Sequence, residues 1–135
     1  MSTTASNATV GQELDPITQI ATIETGKLYA EASNDHNPLH QDPEVAASIS
    51  PTGGVIAHGM FSMGLASRLL TAFAGGPDQV ASIQVRFSKP WPVDTTSTFG
   101  GTVTAVTDDT IEVDLWGRND VSEQMILKGS GSVRR

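Results

Sequence analysis

Asp35 and His40 stand five positions apart in the stretch Ser33-Asn34-Asp35-His36-Asn37-Pro38-Leu39-His40, with a second imidazole, an amide and a proline between them. Pro38 disfavours helical backbone at Asn37, so the stretch bends and presents one carboxylate and one imidazole from a loop. A carboxylate and an imidazole facing one water form an acid–base pair. The carboxylate accepts a proton from the water, while the imidazole orients it and can return a proton. The same residues also suit a structural role, in which Asp35 or Asn37 fixes an Asx-turn and His40 packs where the next helix starts. Spacing alone leaves both readings open. Metal chemistry fits poorly and no metal is expected. The break at Pro38 keeps His36 and His40 off a shared helix face, and no Glu follows His36 in the H-E-x-x-H manner. Asp35-x-Asn37 opens like a calcium loop, but glycine is missing at the sixth position and Ala46 stands where the bidentate Glu belongs.

A second feature is Gly53-Gly54-Val55-Ile56-Ala57-His58-Gly59-Met60, where glycines lead into a helix poor in charge. The first backbone N–H groups of a helix lack intrahelical acceptors. Such an end stabilises an oxyanion, for example the enolate oxygen of a thioester, without a side chain. Gly59 leaves room for a substrate to approach the amide. The alternative is an ordinary loop-to-helix junction with His58 as a buried, hydrogen-bonded core residue. No G-x-S-x-G elbow supports a serine nucleophile, and no Walker or dinucleotide fingerprint is present.

The elements that hold these residues can be read from pattern. Gln12 to Ala21 is strand-like but carries Pro16, which points to an edge or a break. Thr22 suits the cap of a helix running to about Ala32, with Glu24 in its first turn. Asp42-Pro43-Glu44 reads as a cap and a first-turn proline opening a short helix to about Ser48. From His58-Gly59-Met60 a central helix runs almost free of charge on every face, so packing is expected all round it; Gly75-Gly76-Pro77 ends it. Period-two alternation then marks antiparallel strands through Ile83-Val85-Phe87, Phe99-Gly101-Val103-Ala105, Ile111-Val113-Leu115 and Met125-Leu127. Thr107-Asp108-Asp109 and Asn119-Asp120 supply turns. The result is an α+β fold, an antiparallel sheet around one helix, in a single domain over residues 10–135 behind a flexible tail at 1–9.

Composition bounds the partners. The chain has 135 residues, 15 acidic against 8 basic side chains, a net charge of -7 and no cysteine, with a pI near 4.7. Nucleic acid and anionic membrane surfaces would repel it at long range. Thiolate chemistry and disulfides are excluded. Met60 to Ala74, the most apolar run, contains Arg68 and is shorter than the ~20 apolar residues of a membrane span. Without a secretory signal at the start, a cytoplasmic location is expected.

Tyr29 to Ala46 (YAEASNDHNPLHQDPEVA), followed by Gly53 to Gly64 (GGVIAHGMFSMG), resembles the MaoC-like dehydratase family, the R-specific enoyl-CoA hydratases. Their signature reads approximately Y-x-x-x-S-G-D-x-N-P-[IL]-H-x-D, with an A-H-G-M element some twenty residues later. Val85 to Val93 (VRFSKPWPV) is similar to the family's strand after the central helix. The resemblance implies a hot-dog fold, a long helix wrapped by an antiparallel sheet, and reversible hydration of trans-2-enoyl-CoA to (R)-3-hydroxyacyl-CoA without a cofactor. It implies Asp35 and His40 as the catalytic pair, Asn37 as loop support and the Gly59 amide as donor to the thioester oxygen. Ser62 is a candidate for the acyl pocket, and Arg86, Lys89 and Arg118 are candidates for the CoA phosphates. A homodimer or heterodimer of hot-dog subunits is expected. Other classes are an acyl-CoA-binding or regulatory hot-dog subunit of a heteromeric dehydratase and a hot-dog thioesterase. Asn34 departs from the signature's Gly, and Asn tolerates left-handed backbone better than most residues.

Overall fold

Five strands and three α-helices account for most of the chain in the computed structural model, which describes residues 5–135. Strand β1 (Ile17–Ala21) starts directly after Pro16 and pairs only with β3 (Thr95–Val106), so the proline sits at a sheet edge where its missing N–H is harmless. Helix α1 (Ile23–Ser33) opens on a capping box between Thr22 and Thr25. Helix α2 (Pro43–Ile49) opens on Asp42, whose side chain accepts from Glu44 and Val45 N–H, with Pro43 in the first turn. Helix α3 (Gly59–Ala74) ends at Gly75, φ 89°, a left-handed residue that glycine supplies without strain.

After α3 the chain crosses to the far edge of the sheet as β2 (Val80–Phe87). It then returns through β3, β4 (Thr110–Asn119) and β5 (Met125–Arg134), giving the antiparallel order β1-β3-β4-β5-β2. Leu65, Ala66, Leu69, Leu70 and Phe73 of α3 are buried against Phe99, Val103, Ile111, Val113, Leu115, Leu127 and Val133 of the sheet. This is the helix-in-sheet architecture that the resemblance implies. Asn119 closes the turn into β5: its Nδ2 donates to Thr95 Oγ1 at 2.8 Å, and its Oδ1 accepts from the N–H groups of Val121 and Ser122. No helix among the described residues is long and apolar enough to cross a membrane.

Three expectations need correction. The tail expected at 1–9 lies outside the described residues only at 1–4. Ala5–Asn7 form a 3-10 turn, Ala5 is buried in the core and the Gly11 N–H donates to Val103 O at 2.8 Å. One small apolar residue seated in the core leaves no periodic signal in a polar stretch. Packing does not surround α3 either. Met60, Gly64, Arg68 and Ala72 form an exposed stripe along it, Met60 at 55%, because the sheet covers only the opposite side of the helix. Strict alternation also fails along the sheet. Register shifts at Val80/Ser82, Val103/Ala105 and Gly117/Arg118 place extra residues in one strand of each pair, so consecutive Ile126 and Leu127 are both buried.

Candidate active site

The loop after α1 is shaped by short polar contacts. Asn34 ends the helix in left-handed backbone, φ 61°, the conformation in which glycine or asparagine is tolerated. Asp35 Oδ1 accepts from Asn37 N–H at 3.3 Å, and Asn37 Oδ1 accepts from Leu39 N–H at 3.0 Å. Asn37 thereby caps the 3-10 turn Pro38–His40. The Asx-turn considered from sequence is therefore present, and it is the device that sets Asp35 and His40 on one side of the loop.

His40 is held by its own ring. Nδ1 lies 2.9 Å from Ile56 O; a carbonyl only accepts, so Nδ1 carries a proton, and in the neutral ring Nε2 is the acceptor. Segment 55–57, which precedes α3, is pinned in turn: Ala57 N–H donates to Trp91 O at 2.8 Å and Val93 N–H to Val55 O at 3.1 Å. The loop, the start of α3 and the stretch after β2 are thus one hydrogen-bonded unit.

His58 is what the sequence left undecided. It is 2% exposed, and its Nε2–H donates to the backbone carbonyl of Asp35 at 3.1 Å. Its ring stacks on His40 at 4.1 Å between centroids, with Tyr29 on it at 4.8 Å. It is both a buried, hydrogen-bonded residue and the strut between α3 and the Asp35 loop. Its Nδ1 is buried without a hydrogen-bond partner among the described residues. Burial holds the His58 imidazole below its ordinary pKa, and the neighbouring His40 pushes the same way, against the raising effects of the Asp35 carbonyl and carboxylate. The folded chain therefore favours neutral His58, while the unfolded chain takes up a proton near pH 6.5. Stability should fall as pH drops through that value, because the unfolded state binds the extra proton. Melting temperatures followed from about pH 7 to about pH 5 should decline in the wild type and decline less in His58→Gln.

A carboxylate oxygen of Asp35 and a ring nitrogen from each of His40 and His58 lie within 4.8 Å of one another. One water spans such a gap, since two hydrogen bonds of about 2.8 Å cover it. Next to it opens a cavity of about 310 Å³ lined by His40, Gly59 and Ser62 together with Phe87, Lys89 and Trp91. The Gly59 N–H, first in α3, meets no acceptor among the described residues. A β-carbon at Gly59 would stand 3.1 Å from the Phe87 ring, so glycine keeps the amide approachable. The site therefore places Asp35 and His40 within reach of one water, with His40 and the orphan Gly59 amide lining the adjoining cavity.

Of the residues singled out from sequence, Asp35, Asn37 and His40 share the loop, and Gly59, Ser62 and Lys89 join His40 at the cavity. Arg86 and Arg118 do not. Both project from the other face of the sheet, Arg118 with its guanidinium 5.7 Å from the Trp116 ring centre. Sequence reasoning passed over Gly26, whose position in α1 lets the His40 carbonyl come close. A β-carbon there would lie 2.7 Å from His40 O. Gly26→Ala gains about 1 kcal/mol of helix propensity but collides with backbone, which costs about 1–3 kcal/mol. A lowered melting temperature with reduced activity is expected; a raised one would show that the contact relaxes freely.

Residues 5–125 match the sequence profile of the MaoC-like domain. The 3-oxo-4,17-pregnadiene-20-carboxyl-CoA hydratase beta subunit of Mycobacterium tuberculosis is 32% identical over 103 residues, 76% of this chain and 79% of that protein. The 3-hydroxyacyl-thioester dehydratase Y of the same organism is 40% identical over 80 residues, 57% of this chain and 28% of that protein. The chain thus spans only part of some curated relatives it matches, from about half down to about a quarter of their length. Among solved structures, the (R)-hydratase from A. caviae involved in PHA biosynthesis superposes with a TM-score of 0.85 at 26% identity, covering 96% of this chain and 98% of that one.

Proposed function

Because this chain belongs to the MaoC-like dehydratase family, we propose that it reversibly hydrates trans-2-enoyl-CoA to (R)-3-hydroxyacyl-CoA, using Asp35 and His40 as its acid–base pair. The observation that carries this reading is a His40 ring nitrogen within 4.8 Å of an Asp35 carboxylate oxygen, with His40 and the orphan Gly59 N–H lining one cavity. Water sits between carboxylate and imidazole. His40 Nε2 accepts one of its hydrogens and aims its oxygen at C3 of the enoyl thioester. Asp35 takes the other proton as the oxygen–C3 bond forms. The C2–C3 π electrons move toward the thioester oxygen, and the enolate charge is stabilised by the Gly59 N–H and the positive end of α3. The pair then returns the proton to C2. Acid, base and amide all come from the chain, so the reaction needs neither a metal nor a cofactor.

Ser62, buried one turn into α3, lines the path of the acyl group in this reading. The exposed stripe on α3 and the free edge of β2 are where a second hot-dog subunit, identical or related, completes the particle. The likeness to the ChsH1-ChsH2 complex, TM-score 0.83 at 28% identity, supports such an assembly. The location that fits a CoA thioester substrate is the cytoplasm.

The test is to mix the purified chain with trans-2-enoyl-CoA of graded acyl length and follow the conjugated thioester absorbance. Loss of absorbance with CoA still esterified is expected. Release of free thiol would favour a thioesterase, and no loss at any length would favour a binding or regulatory subunit.

A further inference from the structure

The outer face of the sheet, opposite α3, carries a row of residues that the catalytic chemistry does not use. Arg86 of β2 stands directly across from Lys128 of β5, Lys128 across from Trp116 of β4, and Trp116 across from Gly100 of β3. Arg86 and Lys128 are both exposed. Like charges directly opposite on a sheet destabilise the pair, yet here they are neighbours in a chain of net charge -7 with only eight cations. The nearest carboxylate on the same face in the register, Asp114, is opposite Thr102 and Ser130, one row away. Gln84, the next outward residue of β2, donates to Ser130 and leaves Arg86 without a partner among the described residues. The indole of Trp116 lies over Gly100: a β-carbon there would come within 2.8 Å of Cε2 and 3.1 Å of Cη2. The sheet thus supports one face of the ring, and Arg118 stands over the ring at 5.7 Å.

This row connects to the catalytic cavity. Ser88, the residue after β2, lines both that cavity and the outer groove formed by Gln84, Arg86 and Lys128. Lys128 lines the outer groove and the adjoining one beside Trp116. A ligand can therefore run from His40 and Gly59, past Ser88 and around the end of β2, to Arg86, Lys128 and the indole.

We propose that the Arg86–Lys128–Trp116 row is a nucleotide anchor, holding phosphate oxygens between Arg86 and Lys128 and a purine against the Trp116–Arg118 pair. It rests on the reading above in taking the nucleotide to be the adenosine bisphosphate end of CoA. The anion relieves the Arg86–Lys128 repulsion, which explains why the two cations are adjacent. It also answers how an acidic chain binds an anionic thioester: the cations are few but gathered on one strip.

The probe is adenosine 3′,5′-bisphosphate, titrated while tryptophan emission is followed. Binding should quench emission, and the quench should vanish in Trp116→Phe, since Trp91 is buried. Arg86→Glu and Lys128→Glu should each weaken binding by about tenfold or more, the value of one charge-assisted contact, and Lys27→Glu should not. In catalysis, Lys128→Glu should raise KM for an enoyl-CoA by a similar factor at unchanged kcat. It should leave the same acyl group on N-acetylcysteamine, which lacks the nucleotide, unaffected. Affinities within about twofold of wild type in both charge reversals would overturn the anchor. Hydration of both thioesters with no Lys128 effect would also overturn it while leaving the hydratase reading intact. Bisphosphate binding through the row in a chain that hydrates neither thioester would uphold the anchor and refute that reading.

Discussion

Asp35→Asn is expected to lower kcat for enoyl-CoA hydration by about 10²–10⁴-fold, the usual contribution of a positioned acid or base. The fold should be unaffected. Among the described residues the Asp35 carboxylate accepts one hydrogen bond, from the Asn37 N–H at 3.3 Å, and an asparagine side-chain oxygen can accept it equally well. The strut from His58 reaches the backbone carbonyl, not the side chain, so it also survives. What is lost is the ability to take a proton from water. The orphan Gly59 amide and the binding cavity remain, so some rate above the uncatalysed reaction should persist. Matched melting curves with collapsed kcat would assign Asp35 to the chemistry. A collapse of both together would assign it to the loop.

His40→Gln is expected to cost a similar factor, about 10²–10⁴ in kcat, for a different geometric reason. His40 donates its Nδ1–H to Ile56 O, which in the proposed mechanism leaves Nε2 as the acceptor that aims the water. A glutamine side chain can keep a donor near Ile56 O but cannot present a second nitrogen lone pair. Because the two groups share one water, their losses should not multiply. The double variant, Asp35→Asn with His40→Gln, should be little slower than the slower single one. Multiplicative losses would mean that the two residues act on separate steps. Kinetics on all three variants with one enoyl-CoA settle the point.

Legibility from sequence followed the range of the interactions. The Asp35 loop was readable because everything that bends it is local: Asn34 accepting left-handed backbone, Asn37 capping the turn, and Pro38 breaking the helix. The helix limits at Thr22, Asp42 and Gly75 were readable for the same reason. His58 was not, since its partner is the Asp35 carbonyl, 23 positions earlier in the chain, and no local pattern distinguishes a strut from a core histidine. Of the proposed nucleotide strip, only Arg86 was a candidate from sequence. Arg86, Lys128 and Trp116 are ordinary solvent-side residues of three strands, and only the register makes them neighbours. The exposed stripe on α3 misled in the other direction, because freedom from charge says that a helix can be buried all round, not that one chain supplies enough sheet to do it.

The central claim is that water adds across C2 and C3 while the thioester stays intact, and the fate of the water oxygen reports on it directly. The purified chain should be incubated with a trans-2-enoyl-CoA in ¹⁸O-labelled water and the products weighed by mass spectrometry. The account predicts label in the C3 hydroxyl of a product still esterified to CoA, with the rate of incorporation lowered by about 10²–10⁴-fold in Asp35→Asn. Label in the carboxylate of a released acid, or hydroxyl labelling that persists undiminished in Asp35→Asn, would contradict it.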